Sequence, residues 1–337
     1  MSIFNMNTLR AIIVVSIALL SQTSTAATLK IATLSPEGSV WMKVLRKHAA
    51  NIQQRTDGAV KLKFYPGGVM GDDKTVLRKM RLGQLHGAVI TAGGLVQVYK
   101  DITLYNLPML FRSEAEVDFV RTALDEQLLA GLRLKKFVGF GFAEVGFAYP
   151  MMQQPATTVA EVRTRKVWVP DNDPSAVRAF AAFDITPIPL PIADVLAGLQ
   201  TGLVDSIASP PIGAIALQWH TQVEYAMELP LMYVYGSTVM SEKPFSRLTA
   251  AQQQVVEEEL RAAVKAADVS ARNDHNKAKS ALTSQGVQWA TPNEAEMSEW
   301  QTMADAASLR LVDEGYISRD LYQKVLALVK RYRAGDR

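Results

Sequence analysis

Apolar and polar positions alternate with two different periods along the chain. Around residue 62 an apolar side chain occupies every second position, with Lys61 and Lys63 between them, which is the pattern of a half-buried strand. Over residues 40–55 the spacing changes to three or four, which is the pattern of an amphipathic helix. The apolar face of this helix comprises Trp41, Val44, Leu45, His48 and Ile52. The two periods therefore predict strands that take turns with helices.

The predicted elements follow the same order twice. Strands are predicted at 28–33, 60–64, 88–91, 137–142, 166–169 and 205–208, with an extended segment at 185–190 and a crossing strand through Tyr233 and Tyr235. Helices are predicted at 40–55, 72–82, 174–183, 192–200, 249–284, 294–314 and 318–333. Because strands that alternate with helices form mainly parallel sheets covered on both faces, we expect two similar α/β units.

One predicted helix is much longer than either unit requires. Thr249 and Gln252 have the spacing of a capping box at its start, and the helical pattern continues to about Ser284, before Gly286. At 1.5 Å per residue such a helix extends on the order of 50 Å. It is long enough to brace both units.

The N-terminal 26 residues differ from the rest. Arg10 precedes an apolar run at 11–20, and Ser24, Thr25 and Ala26 supply the small residues that signal peptidase prefers. This pattern predicts a secretory signal peptide over residues 1–26 and a mature protein in the periplasm. The alternative is a short N-terminal anchor or a core helix, although about ten apolar residues are too few to span a bilayer.

Length, charge and composition further narrow the class of protein. The length of 337 residues fits two medium-sized lobes better than a single core. The net charge of +3 is spread along the chain and forms no basic tract, so no nucleic-acid partner is expected. The chain contains no cysteine, which excludes disulfides and thiol chemistry.

The apparent metal-binding motifs in the sequence are incomplete. The stretch 171–173 begins like a calcium loop but lacks the later glycine and glutamate, so helix capping by Asp173 explains it better. His220 and Glu224 lie one helical turn apart without a third zinc ligand. Since no nucleophile elbow, P-loop or dinucleotide fingerprint occurs, we predict no catalytic residue, no cofactor and no metal.

Four short segments carry motifs in a fixed order: TDG with FYPGGVMG at 56–58 and 64–71, RLGQL at 81–85, NLPMLF at 106–111 and LQTGLVD at 199–205. They resemble the DctP-type receptors of tripartite ATP-independent periplasmic (TRAP) transporters. The last segment is the most specific, and the four occur in the family's order and spacing.

The resemblance implies an α/β, two-lobed periplasmic binding protein (a venus flytrap) with a long brace helix. Residues 27–145 would form mainly lobe 1, residues 146–240 mainly lobe 2 with crossing hinge strands, and residues 241–337 the brace and C-terminal helices. It also implies a solute receptor for a TRAP membrane permease, similar at Trp168 to a subgroup that pairs with tetratricopeptide-repeat lipoproteins. A sensory binding protein for a membrane receptor is the alternative; an enzyme is not expected.

The expected anion clamp is missing. Where the family places an arginine in its KiRvP strand, this sequence has Trp168, and a second arginine used by some members would fall near Phe147 and Ala148. Ser209 stands where some relatives have asparagine. An indole offers an apolar face and one N–H donor but no charge, so we predict an apolar or weakly polar ligand. The alternative is an organic acid bound by an arginine from elsewhere, with Arg163, Arg165 and Arg178 near in sequence.

Other contacts follow from position. Loops at the ends of parallel strands face the cleft in open α/β sheets, which places 33–41, 91–94, 142–149 and 209–213 near the ligand. The predicted ligand contacts are Trp168, Phe147, Ser209, Thr91, Gly93, Trp41, Asn172, Tyr233 and Tyr235. Trp41 is alternatively a core residue of its helix.

Overall fold

A computed structural model describes residues 26–335, without the side chain of Asn276. The predicted signal peptide, apart from Ala26, lies outside the described residues. The strands are β1 (Ala27–Thr33), β2 (Val60–Tyr65), β3 (Gly87–Thr91), β4 (Phe137–Met152), β5 (Trp168–Pro170), β6 (Ile188–Leu190), β7 (Ser206–Ser209), β8 (Tyr225–Met227), β9 (Met232–Ser241) and β10 (Gln288–Ala290).

The helices agree closely with the predicted ones. They are α1 (Val40–Arg55), α2 (Asp73–Arg81), α3 (Ala92–Leu95), α4 (Glu114–Leu134), α5 (Val159–Arg163), α6 (Pro174–Ala182), α7 (Val195–Gln200), α8 (Pro211–Ala216), α9 (Glu242–Phe245), α10 (Ala250–Ser284), α11 (Glu294–Asp313) and α12 (Arg319–Arg333), with short 3₁₀ turns between some of them. Helix α4 and the short α3, α5, α8 and α9 are additions to the predicted set.

Two long antiparallel strands join the lobes. In lobe 1, β1 pairs in parallel with β2 and β3, and β3 pairs with β9. Strand β9 pairs along β4, whose far end, residues 149–152, pairs with β7 and β8 in lobe 2. The small parallel pair β5–β6 also belongs to lobe 2. The predicted two-lobed α/β fold is therefore confirmed, with β4 and β9 as the connection.

Strand β4 is ten residues longer than predicted, and the predicted loop at 142–149 is wrong. Two irregularities in its pairing with β9, between Gly139 and Phe142 and between Glu144 and Gly146, each insert one extra residue. Gly141 and Gly146 adopt φ values of +123° and +117° at these points. Because each bulge reverses which face the following side chains occupy, the alternation that marks a strand is interrupted.

Helix α10 is the predicted brace. Thr249 caps its start, and Gln252 completes the capping box. The helix packs against α1 of lobe 1, against β4, and against α8 of lobe 2. Its contact with α1 includes a bond of 2.8 Å between His48 Nδ1 and a Glu259 carboxylate oxygen. His48 is therefore a structural residue that fixes the brace to lobe 1.

Within residues 26–335, no helix combines the length and the apolar character that a bilayer crossing needs.

Candidate ligand-binding site

A cavity of about 270 Å³ lies between the two lobes. Lobe 1 supplies the ends of β1 and β3 and the start of α1, including Thr33, Trp41, Thr91 and Gly93. Lobe 2 supplies Trp168, Phe180, Ser209, Leu217 and Trp219, among others. The crossing strands form the floor, and the brace adds Ala263, Val264 and Ala267. The volume of the cavity is at the lower end of the range for ligand pockets.

The wall of the cavity is mainly apolar. Within the described part of the chain, no lysine, arginine or histidine lines the cavity. The charged residues among its lining are Glu144 and Asp173. Both carboxylates already have partners within the protein.

Asp173 caps helix α6. Its Oδ1 accepts backbone N–H bonds of 3.0 Å from Ser175 and 3.0 Å from Ala176, as well as the Ser175 hydroxyl. Burial raises the pKa of the Asp173 carboxyl, while these hydrogen bonds oppose the rise. The preference for capping over a calcium loop in this stretch is therefore confirmed.

Glu144 belongs to a buried network on the far side of the floor. Its Oε2 accepts a 2.9 Å bond from Arg272 of the brace and a 3.1 Å bond from the Tyr233 hydroxyl. Burial raises the pKa of the Glu144 carboxyl, and the Arg272 guanidinium opposes the rise. Arg272 also binds Asp118 on α4, with two contacts of 2.7 Å.

Trp168 lies on the cavity wall and in the lobe 2 core at once. Its side chain is buried, and its ring meets Trp219 edge to face at a centroid distance of 5.1 Å. The indole N–H donates to the Leu190 carbonyl at 3.0 Å. This N–H is therefore already used within the protein, because the parallel pairing of β5 with β6 puts Leu190 within reach. What remains for a ligand is an apolar ring.

The three arginines near Trp168 in sequence bind groups outside the cavity. Arg163 donates to the Phe183 carbonyl at 2.8 Å, and Arg165 to the Pro155 carbonyl at 2.9 Å. Arg178 pairs with Glu314 at 3.0 Å. None of the three lines the cavity, so the alternative of a substitute clamp from this segment is not realised.

The structure brings six of the nine predicted contact residues to the wall. They are Trp41, Thr91, Gly93, Trp168, Ser209 and Tyr235. The buried face of α1 differs from the predicted one. Met42 is fully buried in the core, whereas Trp41 and Val44 line the cavity.

Three predicted contacts are placed elsewhere. Tyr233 does not line the cavity: its ring stacks on that of Tyr235 at 5.9 Å and packs against Phe147 at 5.7 Å, and its hydroxyl reaches Glu144. Asn172 is buried in the contact between the lobes instead of facing the cavity. Phe147 and Tyr233 both belong to the large hydrophobic core cluster instead of the cavity wall, and the bulges in β4 set the direction of Phe147.

Sequence reasoning missed the contribution of the brace. Ala263, Val264 and Ala267 lie on the wall because small side chains let the helix approach the floor. Their spacing of three and four within an otherwise polar helix was the available indication.

The two lobes touch each other across the cleft. Gln97 Nε2 of lobe 1 donates to the Asn172 carbonyl of lobe 2 at 3.4 Å. Gly93 lies directly against Asp173, whose Oδ2 is 2.3 Å from where a Cβ on Gly93 would be. The cleft is therefore closed around the cavity.

Two lobes joined by crossing strands, braced by one helix and closed on an internal cavity define a solute-binding protein of the venus-flytrap class. Residues 31–314 match the DctP family, described as bacterial extracellular solute-binding protein, family 7. The chain belongs to this family, whose members include the substrate receptors of TRAP transporters.

Individual relatives are distant. A Haemophilus influenzae protein is 24% identical over 295 residues, covering 86% of this chain and 88% of its own. The 2,3-diketo-L-gulonate-binding periplasmic protein YiaO of Escherichia coli is 27% identical over 161 residues, covering 47% and 49%. The sugar acid binding protein DctPAm of Advenella mimigardefordensis, solved with galactonate, has a TM-score of 0.84 at 18% identity, covering 91% and 98%. This structure confirms the fold.

Proposed function

We propose that this protein is a periplasmic receptor that binds a small, uncharged and largely apolar ligand and delivers it to a TRAP-type permease. The observation that carries the ligand class is the cavity wall, which lacks a cationic side chain throughout the described residues. The receptor role itself rests on the family.

The electrostatics of the wall support this ligand class. A buried carboxylate needs a cation or several donors, because its desolvation in an apolar site is otherwise uncompensated. Relatives are named for galactonate and 2,3-diketo-L-gulonate, which are carboxylates. In this chain the indole of Trp168 lines the cavity at the family's arginine position, and the two charged residues among the lining, Asp173 and Glu144, are acidic.

A few polar groups remain for orientation. Ser209 and Thr238 line the cavity with hydroxyl groups, and Ser209 donates within its own turn to the Pro210 carbonyl at 3.0 Å. These groups suit one or two hydrogen bonds to a ligand hydroxyl, carbonyl or ether oxygen. The ligand is therefore weakly polar at most.

Localisation and partners follow from the same proposal. Export by the predicted signal peptide places the receptor in the periplasm. Membrane permease subunits of the TRAP type are the proposed partners, and a tetratricopeptide-repeat lipoprotein is proposed as an additional one. The carboxylates near the cavity serve structure, which favours binding over catalysis.

Native mass spectrometry of gently purified protein, followed by extraction of the bound molecule, tests the ligand class. We expect a neutral compound, and we expect calorimetry to give dissociation constants weaker than about 100 μM for succinate and galactonate. Two missing charge-assisted contacts of about 1.5–3 kcal/mol each are sufficient for that loss. Submicromolar binding of either acid would overturn the ligand class and leave the receptor role intact.

A further inference from the structure

One carboxylate on the cavity wall uses only one of its two oxygens within the protein. Asp173 caps α6 through Oδ1, which accepts the N–H groups of Ser175 and Ala176 at 3.0 Å each and the Ser175 hydroxyl. Among the described residues, the other oxygen, Oδ2, receives no hydrogen bond and forms no ion pair. Because the cap holds Oδ1 in place, the position of Oδ2 is fixed as well.

This Oδ2 atom lies where the two lobes meet at the cavity. A Cβ on Gly93 of lobe 1 would overlap it, and both Gly93 and Asp173 line the cavity. The Asp173 side chain lies deep in the protein, yet it keeps accessible surface because it borders this space. The bare Cα of Gly93 offers it no N–H or O–H group, so a bound ligand is the group that can supply one.

The charge of Asp173 has no cation beside it. Within the described part of the chain, no lysine, arginine or histidine lines the cavity. Glu144, the other acidic residue among the lining, is compensated by Arg272 at 2.9 Å. Asp173 is therefore the acidic group on the described wall that has no cationic partner.

A ligand that fills the cavity displaces water from Oδ2. A carboxylate oxygen that loses water without gaining another donor is costly in free energy. An N–H or O–H group on the ligand replaces that donor, whereas an ether or ketone oxygen can only accept and is repelled. Neutral groups on the wall, such as the Thr238 hydroxyl, can donate or accept and so do not discriminate.

We propose that Asp173 Oδ2 selects ligands whose polar end is a hydrogen-bond donor, a hydroxyl or N–H group on an apolar body. Asp173 then determines specificity by direct contact with the ligand while it also caps α6. The inference rests on the receptor function proposed above and narrows its ligand class. A donor is compatible with an uncharged ligand, because a hydrogen bond to an ionised acceptor is stronger than one between neutral groups.

Indole and benzofuran test the inference on the full mature chain. The two uncharged rings have nearly the same shape, but indole carries an N–H donor where benzofuran carries a ring oxygen. Calorimetry measures both affinities after unfolding in urea and refolding have removed any co-purified molecule. We expect indole to bind at least about tenfold more tightly, because only indole donates to the ionised oxygen.

Asp173→Asn is the decisive variant. Asparagine is as good an N-cap as aspartate, and the N–H groups of Ser175 and Ala176 retain its Oδ1. Its Nδ2, a donor, then stands where Oδ2 stood, so the preference for indole should fall below about twofold or invert. Asp72→Asn is the matched control, because Asp72 caps α2 by accepting the Thr75 N–H at 2.8 Å and does not line the cavity. This control should keep the preference.

The possible outcomes separate this inference from the proposed function. Equal affinity of the wild type for the two rings, or an unchanged preference in Asp173→Asn, would overturn the role of Asp173 and leave the receptor function and its apolar ligand class in place. If Asp173→Asn does not fold, the wild-type comparison alone decides. Failure of both rings to bind at millimolar concentration would overturn the role of Asp173 and the apolar ligand class together. Tighter binding of benzylamine, which is cationic at neutral pH, than of indole would support the donor and replace the uncharged ligand by an ammonium.

Discussion

Trp168 and Trp219 pack edge to face on the lobe 2 side of the cavity, with ring centroids 5.1 Å apart and an interplanar angle of 69°. Both rings are buried, and both line the cavity. The indole N–H of Trp168 donates to the Leu190 carbonyl. The pair therefore contributes to the stability of lobe 2 and to the shape of the binding site through the same surface.

Trp168→Ala should consequently have two effects. We expect a loss of about 3–5 kcal/mol in the free energy of unfolding, because a large ring leaves the core. We also expect a ten- to hundredfold weaker dissociation constant for the co-purified ligand, since an indole face contributes on the order of 25 cal/mol per Å² of apolar contact. Urea denaturation and calorimetry measure the two quantities.

Trp300→Ala is the matched control. Trp300 is equally buried, donates to the Thr157 carbonyl at 2.8 Å, and lies in a different core cluster away from the cavity. It should lose similar stability with an unchanged dissociation constant. If Trp168→Ala behaves like this control, the indole is a core residue only and the specificity site has been misplaced.

Gly93→Ala should prevent closure. Its new methyl group would lie 2.3 Å from Asp173 of the other lobe, so the clash exists only when the lobes meet. We expect an unchanged melting temperature without ligand and at least tenfold weaker ligand binding, with scattering that shows a larger radius of gyration. Gly94→Ala, whose clash with Asp73 lies within lobe 1, should instead lower the melting temperature. Normal affinity in Gly93→Ala would contradict the closed contact.

Local sequence patterns predicted the elements well because most of them bury one face. Helix α1 was predicted at its observed bounds, Val40–Arg55, and the brace α10 from its capping box at Thr249. Strand β4 was predicted only to residue 142, since two bulges reverse its alternation. The helix at 114–134 lies outside the predicted set, although its start has Ser113 as N-cap and Glu116 three residues on.

The candidate site was predicted in part for a related reason. Positions at strand ends, such as Thr91 and Ser209, reach the cavity as topology requires. The direction of a side chain within a crossing strand depends on bulges and register, so Phe147 and Tyr233 could not be placed. The contact of Asn172 with Gln97 joins residues 75 positions apart, which no local pattern reveals.

Arg272→Met should destabilise the protein strongly. It removes the cation that compensates Glu144, whose side chain is 2% exposed, and burying an unpaired charge costs about 3–5 kcal/mol. Arg261→Met is the control, because Arg261 also lies on the brace but pairs with the exposed Glu126 and Glu257. That change should cost less than about 1 kcal/mol. Equal losses in urea denaturation would show that the Glu144 network contributes nothing particular.

Glu259 should make the attachment of the brace sensitive to acid. Burial alone would raise the pKa of its carboxyl, but hydrogen bonds from Asn51, Arg55 and His48 hold it at about 2. Because this pKa lies below the ordinary value of 4.5, the stabilisation is complete above about pH 5 and is lost as the pH falls toward 2.

Glu259→Gln should therefore lower the free energy of unfolding at pH 7 by up to about 3 kcal/mol. The difference from the wild type, measured by urea denaturation at several pH values, should shrink steadily below pH 4.5. Glu258→Gln, which alters an exposed pair with Arg55 and an exposed hydrogen bond from Gln254, should show little effect at any pH. A difference for Glu259→Gln that stays constant from pH 7 to pH 3 would mean that packing, and not the charge, accounts for the role of this residue.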